Sequence, residues 1–265
     1  MTTPFPAVVT GVARISPNFV RVTVGELDER HFEFVGHDQW FRLILPLPGQ
    51  ERPVFPQPAP GQRLWEAYYA MPDDERPVVR NYTVRAARPE LREIDVDFVV
   101  HGDEGPASRW AQTVRPGDRL GIIDQGAMFV PRDDADWFLL VADETGLPAV
   151  AGVLDSIGQD RVVTAFVEVP VDADRQPVTV PARGGVEWFT RDGRSVVESE
   201  QLQKAVASAD FPDGDPQILV VGESSMVRAV RRHLVNERGI AKDRITFCGF
   251  WRHHSTPDPT GEDEE

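Results

Sequence analysis

The hydrophobic pattern of this chain changes period once, and that change constrains the fold more than any single residue does. From Ala7 to about Pro131, short apolar runs alternate with polar residues and are broken by Gly, Pro and Asp, as in Val20-Arg21-Val22-Thr23-Val24 and Phe41-Arg42-Leu43-Ile44-Leu45. Period-two alternation of this kind marks strands. Further runs at Val78 to Val84, Ile94 to Val100 and Arg119 to Ile123 bring the total to about six strands with hardly any helix. A small antiparallel barrel is predicted. The segment 46–77, rich in proline and polar residues, reads as a long loop between two barrel strands, with a short helix around 64–70.

After Arg132-Asp133-Asp134-Ala135-Asp136 the alternation stops. Trp137-Phe138-Leu139-Leu140-Val141-Ala142 is wholly apolar, as a strand covered on both faces must be, and a turn and a helical stretch from Leu147 to Ile157 follow. Strands at Val162 to Val169, Glu187 to Thr190, Ile218 to Gly222 and Ile245 to Trp251 alternate with helices near 199–208 and 225–237. In the last helix Val227, Val230 and Leu234 share a face, with Arg228, Arg231 and Arg232 elsewhere around it. The expectation is a two-domain β + α/β chain: an antiparallel six-stranded barrel over 1–131, a Rossmann-like parallel α/β domain over 132–254, and an acidic tail over 255–265. A length of 265 residues suits two domains of roughly 130.

Composition excludes some functions. A net charge of −15 opposes a nucleic-acid partner, whose phosphates such a surface repels. No apolar run reaches the roughly 18 residues of a membrane span. The first residues lack the basic and apolar stretches of a secretory signal, and Cys248 is the one cysteine, so no internal disulfide forms. A cytoplasmic monomer with no stable membrane association and no permanent metal site is expected. Lysine occurs only at 204 and 242, which suits fixed arginine–anion contacts and equally a codon bias.

Two segments carry cofactor chemistry. In Arg80-Asn81-Tyr82-Thr83-Val84-Arg85, strand alternation puts Arg80, Tyr82 and Val84 on one face and Thr83 on the other. An arginine for pyrophosphate, an aromatic to cover a ring and a hydroxyl for a polar edge are what a flavin requires. The hexapeptide alone fits equally a surface strand with one packed tyrosine. The second segment, Asp97 to Ala111, runs from a strand through His101-Gly102-Asp103-Glu104-Gly105 into a helix opened by Pro106. Gly105 permits close backbone approach, and the exposed amides of Ala107, Ser108 and Arg109 would meet a phosphate at the favourable end of the helix dipole.

Together with Asp143-Glu144-Thr145, these segments resemble the siderophore-interacting protein family of ferric-siderophore reductases. The likeness extends to Gly222-Glu223-Ser224-Ser225-Met226-Val227-Arg228 and Gly249-Phe250-Trp251-Arg252, and so covers nearly the whole chain. It implies an FAD-binding barrel of the ferredoxin-reductase type, a nicotinamide-binding second domain using NADH or NADPH, and a ferric siderophore as substrate. On this resemblance Arg80, Asn81, Tyr82, Thr83, Asp97, Val99, His101, Gly102, Gly105, Ala107, Ser108, Asp143 and Thr145 bind cofactor. Thr145 would lie at the flavin–nicotinamide junction and Glu223 near the nicotinamide, the two catalytic candidates; Glu223 also reads as a plain helix-start carboxylate.

No G-x-G-x-x-G fingerprint is present. Glu168, at the end of the second parallel strand, stands where an acid binds the ribose of NAD, while Arg175 and Arg183 would suit NADPH, so the nucleotide stays open. Arg252 and His253, with His254, are candidates for an anionic iron chelate, and His253-His254 reads equally as a solvated tail. The family more often has tyrosine where Phe250 stands. Gly222-Glu223-Ser224-Ser225-Met226 fails as a hydrolase elbow because Met226 replaces the second glycine. A flavoprotein that binds siderophore without turnover, or a flavin reductase with another acceptor, are the competing readings.

Overall fold

The computed structural model describes residues 3–100 and 105–253. Strands β1 (Phe5–Ser16), β2 (Phe19–Gly25), β3 (Trp40–Leu45), β4 (Val78–Thr83), β5 (Ala86–Arg88), β6 (Glu93–Val99) and β7 (Arg119–Gly126) form one antiparallel sheet in the order β4-β3-β7-β1-β2-β6-β5. Its two edges, β4 and β5, are separated in sequence by Val84 and Arg85 alone. So short a link forces the sheet to curl until its edges meet. The Val84 N–H donates to the Gln39 carbonyl at 2.8 Å on one side, and the Arg85 N–H to the Asp95 carbonyl at 2.8 Å on the other. Val22, Leu43, Val96, Phe98 and Ile122 fill the interior, each buried to 1% exposure or less.

Seven strands therefore replace the expected six. The addition is β5, whose three residues are too few to show a periodicity. Within segment 46–77 a helix, α1 (Leu64–Tyr69), forms where a short helix was expected. It lays Tyr68 on Ile44, Val79 and Ile123 outside the barrel. Helix α2 (Pro106–Thr113) places Ala107 and Ala111 in the barrel core.

The second sheet is parallel. Strands β8 (Trp137–Ala142), β9 (Val162–Val169), β10 (Arg183–Thr190), β11 (Pro216–Glu223) and β12 (Ile245–Trp251) lie in the order β10-β9-β8-β11-β12. Helix α3 (Leu147–Ser156) covers one face; α4 (Gln201–Ser208) and α5 (Ser224–Asn236) cover the other. This double covering explains the unbroken apolar run of β8, none of whose residues exceeds 3% exposure. Strand order reverses between β8 and β11, the switch point where open α/β sheets bind ligands.

Polar contacts join the two sheets. Asp174, wholly buried, accepts from the Ser16 hydroxyl at 2.6 Å, the Asn18 amide N–H at 2.9 Å and the Asn18 side chain at 2.7 Å. Arg85 pairs with Asp155 of α3 at 3.0 Å. Phe19 of the barrel belongs to the same buried cluster as Phe129 and Phe138. A Cβ at Gly152 would stand 2.1 Å from the His37 carbonyl, so the glycine allows α3 to approach the barrel loop.

Candidate functional site

On the barrel side the site grows from β4. Tyr82 packs on Phe98 with ring centroids 4.3 Å apart, and Phe98 on Trp110 at 5.5 Å, so one aromatic row connects β4, β6 and α2. Burial raises the Tyr82 hydroxyl above its usual pKa, with Arg80 opposing. Arg80 is half-buried, donates to the Val79 carbonyl at 2.7 Å and has no carboxylate partner among the described residues. Burial pulls its pKa below the ordinary arginine value, and only the Tyr82 and Tyr68 hydroxyls counter this. A partly desolvated guanidinium without counter-charge is a place for an anion.

Helix α2 presents a second anion feature. Gly105 precedes it at φ 82° with no side-chain cap, and a Cβ built there would meet nothing within 4 Å among the described residues, which leaves room at the helix start. Ser108, 6% exposed, has a buried hydroxyl without a hydrogen-bond partner among the described residues. A buried hydroxyl at a helix start fits a phosphate there with the Ala107 and Ser108 amides, whereas the expected Arg109 N–H donates to the Gly105 carbonyl at 3.2 Å. The pyrophosphate of FAD therefore suits the residues present.

Other expected cofactor contacts fall differently. Asn81 is exposed, and Thr83 is 6% exposed opposite Trp40. Asp97 is committed to Arg21 by a bidentate pair at 2.6 and 2.8 Å. Alternation along β6 turns Ile94, Val96 and Phe98 inward and Asp95, Asp97 and Val99 outward, so the Asp97 and Val99 side chains leave the Tyr82 face. The Asp97 carboxylate is thus occupied within the protein. His101 and Gly102 lie outside the described residues.

Across the junction, Asp143 gathers the ends of β8, β11 and β12. Its Oδ1 accepts from the Thr145 N–H at 2.8 Å and the Thr145 hydroxyl at 2.6 Å; its Oδ2 accepts from the Glu223 N–H at 2.7 Å and the Trp251 indole at 3.1 Å. Asp143 is fully buried, and Gly222, at φ 136°, makes room, since a Cβ there would lie 2.6 Å from the carboxyl carbon. Its side chain organises the site from beneath.

Glu223 caps α5: Oε2 accepts from the Ser225 N–H at 2.5 Å, the Met226 N–H at 3.2 Å and the Ser225 hydroxyl, and Oε1 from the His253 N–H at 3.4 Å. Burial pushes its pKa up, but the Ser225 hydroxyl and the amides outweigh that, leaving it below the ordinary glutamate value. The helix-cap reading of Glu223 is thus realised, at the switch point.

At the β9 and β10 ends the ribose reading of Glu168 is overturned. Glu168, 1% exposed, accepts from Arg191 at 3.3 Å, Gln201 at 3.3 Å and the Ser199 hydroxyl. Arg191 in turn grips Glu144 with two bonds of 2.6 Å. Both Glu168 oxygens are used inside the protein. Arg183 opens β10, opposite Val162, and so lies at the amino end of the sheet, away from the ligand edge; Arg175 pairs with Asp172. Arg191 went unnoticed in the sequence, where nothing distinguishes it from any arginine after a strand. Arg252 and His253 are exposed beyond β12, and His254 lies outside the described residues.

Comparison with known proteins assigns the family. Residues 8–128 match the model of the siderophore-interacting FAD-binding domain, and residues 135–254 match that of the siderophore-interacting protein. The chain belongs to the siderophore-interacting protein family. Its structure superposes on that of a siderophore utilization protein from T. fusca with a TM-score of 0.84 and 33% identity, over 96% of this chain and 94% of that one. It is 30% identical to the NADPH-dependent ferric-chelate reductase of Escherichia coli K12 over 91% of this chain and 89% of that protein. With the ferric vibriobactin reductase ViuB of Vibrio cholerae it shares 32% identity over 68% of this chain and 66% of that protein. Family membership accounts for a barrel with an anion cradle joined to a nicotinamide-type sheet. Among the described residues no helix is long and apolar enough to cross a membrane, and no group of His, Cys, Asp and Glu is placed to hold a metal.

Proposed function

We propose that this protein is an FAD-dependent reductase that passes electrons from a reduced nicotinamide to iron(III) in a siderophore, acting as a cytoplasmic monomer with a domain boundary between Pro131 and Arg132. The observation that carries it is that Arg80 and the buried Ser108 hydroxyl, both without a charged or hydrogen-bonding side-chain partner among the described residues, stand two residues from either end of the Tyr82–Phe98–Trp110 row. The similar ferric-chelate and ferric vibriobactin reductases support the choice of acceptor.

FAD, when bound, accepts a two-electron hydride and releases electrons singly, as iron(III) requires. Arg80 and the first-turn amides of α2 hold the pyrophosphate, and Tyr82 covers the ring or ribose. The Thr145 hydroxyl proton is committed to Asp143, which leaves the oxygen as an acceptor toward the ligand. Glu223, kept ionised by its donors, and buried Asp143 place negative charge at the switch point, where a nicotinamide becomes cationic on oxidation. Arg252 and His253 receive the anionic chelate, whose hard oxygen donors hold iron(II) less well than iron(III).

Anaerobic mixing with NADH or NADPH should bleach the flavin band, and a ferric siderophore should restore it. No bleaching with either nucleotide defeats the nicotinamide role. Equal rates with acceptors that lack iron would make it a general flavin reductase.

A further inference from the structure

The turn after β8 is gripped from both sides of the parallel sheet. β8 is the central strand, and the two acids that follow it diverge. Asp143 reaches toward β11 and β12, accepting from the Glu223 amide and the Trp251 indole, while Glu144 reaches toward β9 and β10. There the guanidinium of Arg191, the residue directly after β10, donates to both Glu144 oxygens at 2.6 Å. The same group donates to Glu168 of β9 at 3.3 Å, and Glu168 is held in turn by Ser199 and Gln201. The Arg191 backbone is fixed as well, its N–H donating to the Val169 carbonyl at 3.1 Å.

Stability alone does not account for this pair. Glu144 neighbours one buried acid, Asp143, and shares Arg191 with another, Glu168. Burial, and then the Asp143 charge, presses Glu144 toward its neutral form, and the Arg191 bonds oppose both. Well-packed apolar residues in place of a buried ion pair are often neutral or stabilising. What a bidentate guanidinium–carboxylate contact adds is direction as well as distance. The residue next to that contact is Thr145. From 141 to 150 every other residue is buried, and Thr145 alone is partly open, so the two grips present one side chain outward.

We propose that Arg191 is a positioning residue for hydride transfer: by clamping Glu144 to the ends of β9 and β10, it fixes the Thr145 hydroxyl against the nicotinamide. This rests on the nicotinamide reading of Thr145 above. Arg191 acts from behind the turn, since it is itself buried and its two terminal nitrogens are engaged by carboxylates.

The test uses the full-length, FAD-loaded protein at about pH 8, above the value of about 7 to which the Glu144 carboxyl is raised. Arg191→Met alone strands two buried carboxylates, so it is combined with Glu144→Gln, which removes both charges of the clamp. Arg191→Lys keeps the charge and gives up the second bond. Without nucleotide, the Thr145 and Gly146 amides of the double variant should exchange with deuterium at least roughly tenfold faster, and the β11 amides at the unaltered rate. The limiting rate of flavin bleaching by saturating NADH or NADPH should fall about 10- to 100-fold, while the dissociation constants of NAD+ and NADP+ change less than about threefold. Arg191→Lys should recover part of that rate, and Glu168→Gln, which spares the clamp, should keep it. Unchanged amide exchange or an unchanged limiting rate overturns the proposal. So does an equal loss of rate in Glu168→Gln, which would assign the effect to the buried cluster as a whole. A loss confined to NADP+ affinity also overturns it, by making Arg191 a ligand of the 2′-phosphate. Should neither nucleotide bleach the unaltered protein, the nicotinamide reading fails and this proposal with it, an outcome distinct from a failure of Arg191 alone.

Discussion

The indole N–H of Trp251 donates to Oδ2 of Asp143 across 3.1 Å, although β11 lies between the strands that carry them. The same carboxylate also orients Thr145 and the Glu223 amide, so one buried acid sets two side chains and a backbone amide of the switch point. Asp143→Asn replaces one acceptor oxygen by a donor facing other donors. A loss of about 2–4 kcal/mol in urea unfolding is expected, with slower nicotinamide-driven bleaching of the flavin that remains bound. Unchanged bleaching would limit Asp143 to a structural role.

Arg80 and Ser108 should respond differently to truncation. Arg80→Ala removes a charge-assisted contact worth about 1.5–3 kcal/mol, so FAD retention should fall at least tenfold. Ser108→Ala removes an unsatisfied buried hydroxyl, so the flavin-free protein should be as stable or slightly more stable, while FAD affinity falls about fivefold. Thermal melts with and without FAD separate the two effects.

Stability should depend on pH through Glu144. Burial, with the Asp143 charge alongside, pushes its carboxyl up to about 7 despite the Arg191 pair. The unfolded chain releases that proton near pH 4.5. Between those values the folded state binds more protons, so this contribution is fully present below about pH 4.5 and is lost as pH rises through 7. The stability of the unaltered protein minus that of Glu144→Gln should decline across this window and then level. A rising difference would mean that the Arg191 ion pair dominates and Glu144 stays ionised.

The junction between the two sheets depends on Asp174. Asp174→Ala leaves the partly buried Ser16 and Asn18 donors unpaired, an expected cost of about 1–3 kcal/mol. Two separate unfolding transitions should replace one if this contact couples the domains. A single transition at an unchanged midpoint would show that the apolar cluster around Phe19 suffices.

Much of the architecture was legible locally. Strand alternation located β2, β3, β4 and β6, and the unbroken run 137–142 located β8, because a strand's neighbours leave their mark in its own sequence. Arg80, Tyr82, Gly105 and Ser108 stand out on the same local grounds, strand alternation and a helix start, and their contacts with a flavin are proposals. Only three residues long, β5 left no such mark.

What the sequence determined by itself was the order of the elements and the flavin-type segments, since both depend on near neighbours along the chain. Tertiary structure alone decided how the charged side chains are used: Asp97 with Arg21, Glu168 and Glu144 with Arg191, Asp143 with Trp251, Asp174 with Asn18. Those partners stand 76, 23, 47, 108 and 156 positions apart. A carboxylate free for a ligand and one already occupied are the same letter in a sequence. Only the folded chain brings its partner within hydrogen-bond reach, and burial makes the choice binding, because a lone desolvated charge is too costly to leave unmatched.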